Sequence, residues 1–391
     1  MKELEKTLVL KFWLKRCHLI LALISGIFLI NISLSGALLL FAKDIQTMIN
    51  PQYWLINHGS ESTATVEVLP LSALITEIEN KTGEKINFIE LPEHSSGVWQ
   101  VKLMNEKIVN IDPYTAEILL THRFYDTFYG FVMAWHRWLL YRNSQGEMPM
   151  QQVIATSSLF FMLQLIIGFL LWMKPKHRLK RFKINHRANI KIKLYQLHGS
   201  IGIICAVPLL LIAFSGITFY WSEQTKNIVQ WLTGSKVQQH NFQPPQLDIQ
   251  KKSKNNFDPS VNVKGIDKAY STVPLSLPNG KVFRIYLPKK SNDVLVFRVK
   301  TLSESHAYSW VWADPHTGEV LDSFNASNQS LATQVWNFRY KFHIGEFVAL
   351  PIKFIWLFLS ILPAFFVSSG IYFWLKRKKP LINDKNINIV N

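Results

Sequence analysis

Two histidines occupy matching places ahead of long apolar runs. His18 stands 17 residues before Ser35-Gly36, and His198 stands 17 residues before Ser215-Gly216. Two more, His136 in "AWHRWLL" and His343 in "KFHIGEF", each close an aromatic-rich approach to another apolar run. A neutral imidazole is a common metal ligand, and two of them facing each other across a helix bundle bind a haem iron from both sides. Zinc takes four ligands, usually including Cys or carboxylate, and no such cluster stands near. The structural alternative is that each histidine sits in the wet headgroup zone, where a titratable side chain costs little. Recurrence at equivalent places favours ligation. The other eight histidines fit the structural reading; His122 is the nearest rival for the outer pair but has no counterpart downstream.

The elements that must position these residues follow from hydropathy. Four apolar runs, at about 18–41, 153–173, 198–221 and 354–375, are each long enough to cross a hydrocarbon core of about 30 Å. The 391-residue chain carries a net charge of +17. That charge gathers in residues 1–17, 174–197 and 376–391, which hold nineteen Lys and Arg against three acids. On a four-span topology all three segments lie on one side, the positive-inside bias that places both termini in the cytoplasm. Anionic lipid accounts for the basic segments, and a nucleic-acid partner is not needed. Residues 42–152 and 222–353 then face outwards.

Both outer segments contain alternating stretches that predict strands, among them "VWQVKL" and "VLVFRVK", and residues 69–81 predict an amphipathic helix. The matching helix of the second segment is weaker, and 238–259 predicts a loop. "VNIDPYTAEIL" (Val109–Leu119) matches "VWADPHTGEVL" (Val311–Leu321). The expected fold is an α-helical membrane protein with four transmembrane helices from a parallel tandem duplication, carrying two extracytoplasmic α+β lobes. A pseudo-twofold axis brings equivalent residues together, pairing His18 with His198 and His136 with His343.

Other features have more modest readings. Arg137 suits a haem propionate or a lipid headgroup. The small residues Ser35-Gly36, Gly168, Ser215-Gly216 and Gly370 let helices approach and leave room for a porphyrin face. Trp residues near span ends form an aromatic belt. Cys17 is expected to be a buried small side chain. With Cys205 on another span near the cytoplasmic side, a structural disulfide is not expected. No C-x-x-C-H, G-x-G-x-x-G or P-loop motif occurs.

The motifs "CHLILALISG", "AWHRWLL", "LHGSIG" and "KFHIGEF", with the D-P-x-T-G-E-V turn, resemble the PepSY-associated transmembrane family over about residues 14–379. That family includes iron-regulated inner-membrane proteins and siderophore-iron reductases with two b-type haems. The resemblance implies PepSY-like lobes, a bacterial inner-membrane location, two haem b, and His18, His136, His198 and His343 as axial ligands. It implies a ferric siderophore, or another periplasmic ferric chelate, as electron acceptor. The chain has no visible flavin or nicotinamide site, so a quinol or a soluble cytoplasmic reductase is the expected donor. Trp99, Tyr308, Trp310 and Trp312 are candidate acceptor contacts, with packing on a strand face as the alternative. Two rival functions remain: a membrane-anchored regulator whose lobes bind a peptidase or sensor, and a permease, disfavoured by few spans and no interior charge.

Overall fold

The computed structural model describes residues 2–56, 67–173, 182–238, 264–290, 293–347 and 350–376. The loop expected at 238–259 falls almost wholly outside these residues, as do parts of the basic segments at 174–197 and 376–391. Two compact units are present. One is helical (Met1–Ala37, Tyr141–Ile217 and Leu357–Asn391). The other contains the sheet (Leu38–Leu140 and Thr218–Trp356).

Among the described residues, three helices are long and apolar enough to cross a membrane: α1 (Lys2–Ile49), α5 (Met150–Met173) and α11 (Leu350–Leu375). The helix expected at 198–221 is instead two, α6 (Ile190–Ile204) and α7 (Ala206–Ile217), bent by 67°. The cause is local. Pro208 has no N–H to offer the Ile204 carbonyl, and its ring crowds that carbonyl, so α6 stops there. The protein is therefore of the helical membrane type, with three candidate spans among the described residues, or four if the bent pair crosses as one.

Polar side chains join the helices where backbone groups need partners. Pro363 interrupts the ladder of α11. Beside it the Ser33 hydroxyl of α1 donates to the Ser360 carbonyl and accepts from the Ala364 amide at 3.3 Å. The hydroxyl is thus inserted into the rung that Ala364 and Ser360 would otherwise share. Gln164 of α5 donates to Ser25 of α1 at 3.2 Å within the bundle. At Gly26 a Cβ would lie 2.9 Å from a Val367 methyl, so α1 and α11 approach closely there.

The sheet unit holds eight antiparallel strands: β1 (Ile86–Glu90), β2 (Trp99–Leu103), β3 (Ile108–Ile111), β4 (Ile118–His122), β5 (Lys281–Tyr286), β6 (Leu295–Lys300), β7 (Ser309–Ala313) and β8 (Val320–Phe324). Their order is β4-β3-β2-β1-β5-β6-β7-β8. Residues 42–152 and 222–353 thus share one sheet instead of forming two lobes. The reason is edge satisfaction: β1 and β5 would each expose unpaired backbone groups, and pairing them removes both edges. Glu90 and Arg284 face each other across this seam and form an ion pair.

The helices α3 (Leu71–Thr82) and α9 (Ile266–Ser276) help build a single core under the seam. Leu74, Ile78, Ile266 and Val273 pack there with Ile89, Val101, Ile285 and Phe297. Alternation selects the strand residues: Trp99, Val101 and Leu103 point inwards on β2, as do Leu295, Phe297 and Val299 on β6.

The segments on either side of the seam carry matching turns. Ala116 and Gly318 both have positive φ (55° and 70°), and their amides bond to the Asp112 and Asp314 carbonyls at 2.9 Å in each case. Each half then continues through a short 3₁₀ turn into a capped helix. These are α4 (Phe128–Trp138), capped by Thr127, and α10 (Leu331–His343), capped by Ser330.

Two histidine pairs as the candidate functional site

In the helical unit, His18 of α1 and His198 of α6 have ring centres 6.4 Å apart. In the sheet unit, His136 of α4 and His343 of α10 have ring centres 6.3 Å apart. All four histidines singled out in the sequence are thereby brought into the expected pairs. Packed aromatic rings commonly lie 4.5–7 Å apart, so one such distance has an ordinary explanation. Its repetition at two places built from different helices, each time between the histidines the sequence pairs, invites another.

Ligation supplies one. With a metal–nitrogen bond of about 2 Å on each side, two collinear imidazoles have ring centres roughly 6 Å apart. At a tetrahedral angle the same bonds would bring the centres to about 5 Å. Both observed distances are of the size that would let each pair hold one metal between its imidazoles, as two histidines would hold a haem iron. Among the described residues, neither pair is joined by a third His, Cys, Asp or Glu.

Hydrogen bonding anchors the His198 ring. Its Nδ1 lies 2.7 Å from the Ser369 hydroxyl, which also lies 3.1 Å from the Phe366 carbonyl. In the tautomer with hydrogen on Nδ1, that hydrogen goes to Ser369, the hydroxyl proton goes to Phe366, and Nε2 keeps the lone pair that a metal ligand requires. Phe366 and Phe373 pack on the ring at 5.1 and 6.1 Å. The His18 Nδ1 is buried without a hydrogen bond. A side chain at Gly168 would come within 3.8 Å of the same ring.

The His136–His343 pair sits at two helix ends. After His136, α4 ends in Leu139 and Leu140, both with positive φ (53° and 61°). Two adjacent non-glycine residues in the left-handed region are costly, and such strain gathers at functional sites. After His343 the chain turns at Gly345, where a Cβ would lie 2.7 Å from the Trp356 ring. Trp356 in turn donates from Nε1 to the Phe342 carbonyl at 2.8 Å. His343 also packs on Phe219 at 5.4 Å. Arg137 is exposed, with its guanidinium 5.8 Å from the Trp138 ring centre.

Several other expectations are revised. Trp99 is nearly buried in the core, and Trp312 is fully buried on the face of β7 opposite the core residues Val311 and Ala313, so neither can touch a docked acceptor. Tyr308 does border an open recess of about 550 Å³, with Glu304, Phe338 and Phe347. Cys17 is exposed on α1 because its side chain leaves the helix about 100° away from that of His18. His122 is held locally, its Nε2 3.3 Å from the Asn110 amide oxygen and its ring 5.5 Å from Trp54.

Two residues were missed. Ser369 lies in "VSSGIYF", where only the adjacent Gly370 was read as a helix contact. His306 was set aside, yet its Nδ1 is buried without a hydrogen bond. The spacing of "HAY" put His306 and Tyr308 on one face of an extended chain, a signal open to sequence reading.

The architecture is that of a multi-helix membrane protein carrying one antiparallel sheet domain. Comparison with protein families narrows this. The chain belongs to the PepSY-associated TM region family (PepSY_TM), which it matches over residues 15–377. No individual curated protein matches it.

Proposed function

We propose that the protein is a di-haem b reductase of the bacterial inner membrane, passing electrons from a cytoplasmic or quinol donor to a periplasmic ferric acceptor such as a ferric siderophore. The observation that carries the reading is the pair of matched distances, 6.4 Å for His18–His198 and 6.3 Å for His136–His343. Each pair takes one histidine from each sequence half, as a parallel tandem duplication of span, half-sheet, interfacial helix and span would supply. In this reading the chain crosses the membrane four times and both termini are cytoplasmic. Bound between the paired histidines, haem would supply reversible one-electron transfer at a potential set by its ligands and surroundings. His18 and His198 would hold one haem, with Ser369 orienting His198, and His136 and His343 the other. The open recess beside Tyr308 offers a place on the sheet unit for a chelate to approach.

Absorption spectra of the purified protein before and after dithionite test this. The expected result is a b-type haem spectrum with two haems per chain. His18→Ala or His198→Ala should remove one haem, and His136→Ala or His343→Ala the other. A colourless protein that stays folded would end the reductase reading and leave a membrane-anchored binding protein in its place.

A further inference from the structure

Four buried polar atoms without a hydrogen bond lie in one cluster of the sheet unit: Arg298 Nε, His306 Nδ1, the Tyr308 hydroxyl and Arg339 Nε. They are contiguous. Tyr308 is close enough to feel the charge of both arginines. The His306 ring lies 5.7 Å from Tyr308 and 5.4 Å from Tyr340. Each guanidinium makes one backbone bond, Arg298 Nη2 to the Ala307 carbonyl at 2.6 Å and Arg339 Nη1 to the Trp336 carbonyl. Among the described residues no carboxylate lies within ion-pair distance of either.

Neighbouring cations are treated differently. Arg284 is paired with Glu90, and buried Lys341 meets Glu346 at 2.9 Å and Glu93 at 3.7 Å. Burial pushes Arg339 down to about 10, with no acid to offset it. Arg298 and Arg339 are half-buried and stack on Trp310 at 5.3 Å and Trp336 at 3.8 Å, yet the buried Nε of each has no acceptor. A buried donor without an acceptor is costly. Two such cations and a hydroxyl together describe a binding site for carboxylate, whose planar oxygens match the guanidinium fork.

The cluster adjoins the outer histidine pair. Arg339 precedes His343 by four residues on α10, so the two share one helical face, a turn apart. Phe219 spans the interval, its ring 5.4 Å from His343 and 5.8 Å from the Arg339 guanidinium. We infer that Arg298, Arg339 and Tyr308 form the binding site for the propionates of a haem held between His136 and His343, an inference that rests on the haem reading above. Arg339 would face the propionates from α10, and Arg298 from β6. Tyr308 would donate its hydroxyl between them.

Redox titration of the purified full-length protein, with haem content measured alongside, decides this. A guanidinium beside a propionate offsets its negative charge and favours ferrous iron. Arg339→Gln and Arg298→Gln should therefore lower the midpoint potential of one haem and leave the other unchanged. Tyr308→Phe should act in the same direction with a smaller shift. His343→Ala identifies which haem is the outer one. If Arg339→Gln loses that haem, Arg339→Lys, which keeps the charge, should restore it. Unchanged potentials in all three variants with two haems bound would overturn the propionate site alone. Loss that Arg339→Lys does not rescue would also overturn it. Absence of haem from the parent would overturn both this inference and the reading it rests on.

Discussion

His198 Nδ1 lies 2.7 Å from the Ser369 hydroxyl, and that single contact anchors the imidazole from the neighbouring helix α11. Ser369→Ala should leave the helices intact but let the imidazole rotate and change tautomer. Losing such a partner typically weakens metal retention by about 10–100-fold. Haem loss from the detergent-solubilised variant, followed by transfer to an apo-globin acceptor, should be faster for one haem only. Equal rates in variant and parent would mean that Ser369 does not orient a ligand.

The Ser33 hydroxyl bridges the Ser360 carbonyl and the Ala364 amide where Pro363 disturbs α11. Ser33→Ala should leave both backbone groups poorly satisfied between apolar helices. A loss of about 1 kcal/mol is expected, in line with interhelical hydrogen bonds in membranes. Thermal unfolding in detergent should show it, and Ser33→Thr, which keeps the hydroxyl, should recover part of the loss.

Legibility in the sequence divided along physical lines. Apolar length exposed α1, α5 and α11, because a span needs little more than about 20 apolar residues. The break at Cys205 was missed, although Pro208 announces it, because a hydropathy window averages over a proline. The strands and the D-P turns were visible through alternation and turn residues. Their union into one sheet was not, since the β1–β5 pairing joins residues nearly two hundred positions apart and no local pattern encodes it. The four histidines were legible because equivalent spacing marked them in both halves. Ser369, Arg298 and Arg339 were not, since each acquires its role from a neighbour distant in the chain or one helical turn away.

The paired turns at Ala116 and Gly318 make opposite predictions. At Gly318 a Cβ would fall 2.4 Å from the Gly265 carbonyl oxygen, on a backbone with φ of 70°. Gly318→Ala should destabilise the sheet unit by more than about 2 kcal/mol, through overlap and left-handed strain together. Ala116 already bears a Cβ at φ 55°. Ala116→Gly relieves strain of about 1–2 kcal/mol, less the extra entropy glycine loses on folding, for a net gain of roughly 0.5 kcal/mol. Denaturant midpoints that moved in the same direction for both variants would refute the account.

His306 supplies a pH dependence with a definite sign. Burial, followed by the charges of Arg298, Lys341, Lys300 and Lys43, pushes its imidazole down to about 3. In the unfolded chain it titrates near 6.5. Between those values the unfolded state binds the extra proton. The contribution of His306 is therefore complete above about 6.5 and is lost as the pH falls toward 3, with a slope of at most about 1.4 kcal/mol per pH unit. In protein prepared from haem-deficient cells, His306→Phe should flatten the stability curve across that window. A curve that falls as steeply in the variant would assign the slope to other groups.

The bend between α6 and α7 leaves one topological question that chemistry can answer. A pair of helices meeting at 67° either crosses the membrane as one kinked span or returns to the side it left. The charge pattern favours crossing: residues 174–197 are strongly basic, whereas α8 (Ser222–Thr233), which follows the bend, pairs its Lys226 with Glu223 at 2.8 Å. Arg187 and Lys236 are both exposed and flank the bent pair. In a chain with Cys17 and Cys205 replaced by Ser, Lys236→Cys should react with a membrane-impermeant thiol reagent added to intact spheroplasts. Arg187→Cys should react only after permeabilisation. Reaction of both from the same side would make the bent pair a re-entrant loop. That would leave three spans and set the two termini on opposite sides of the membrane.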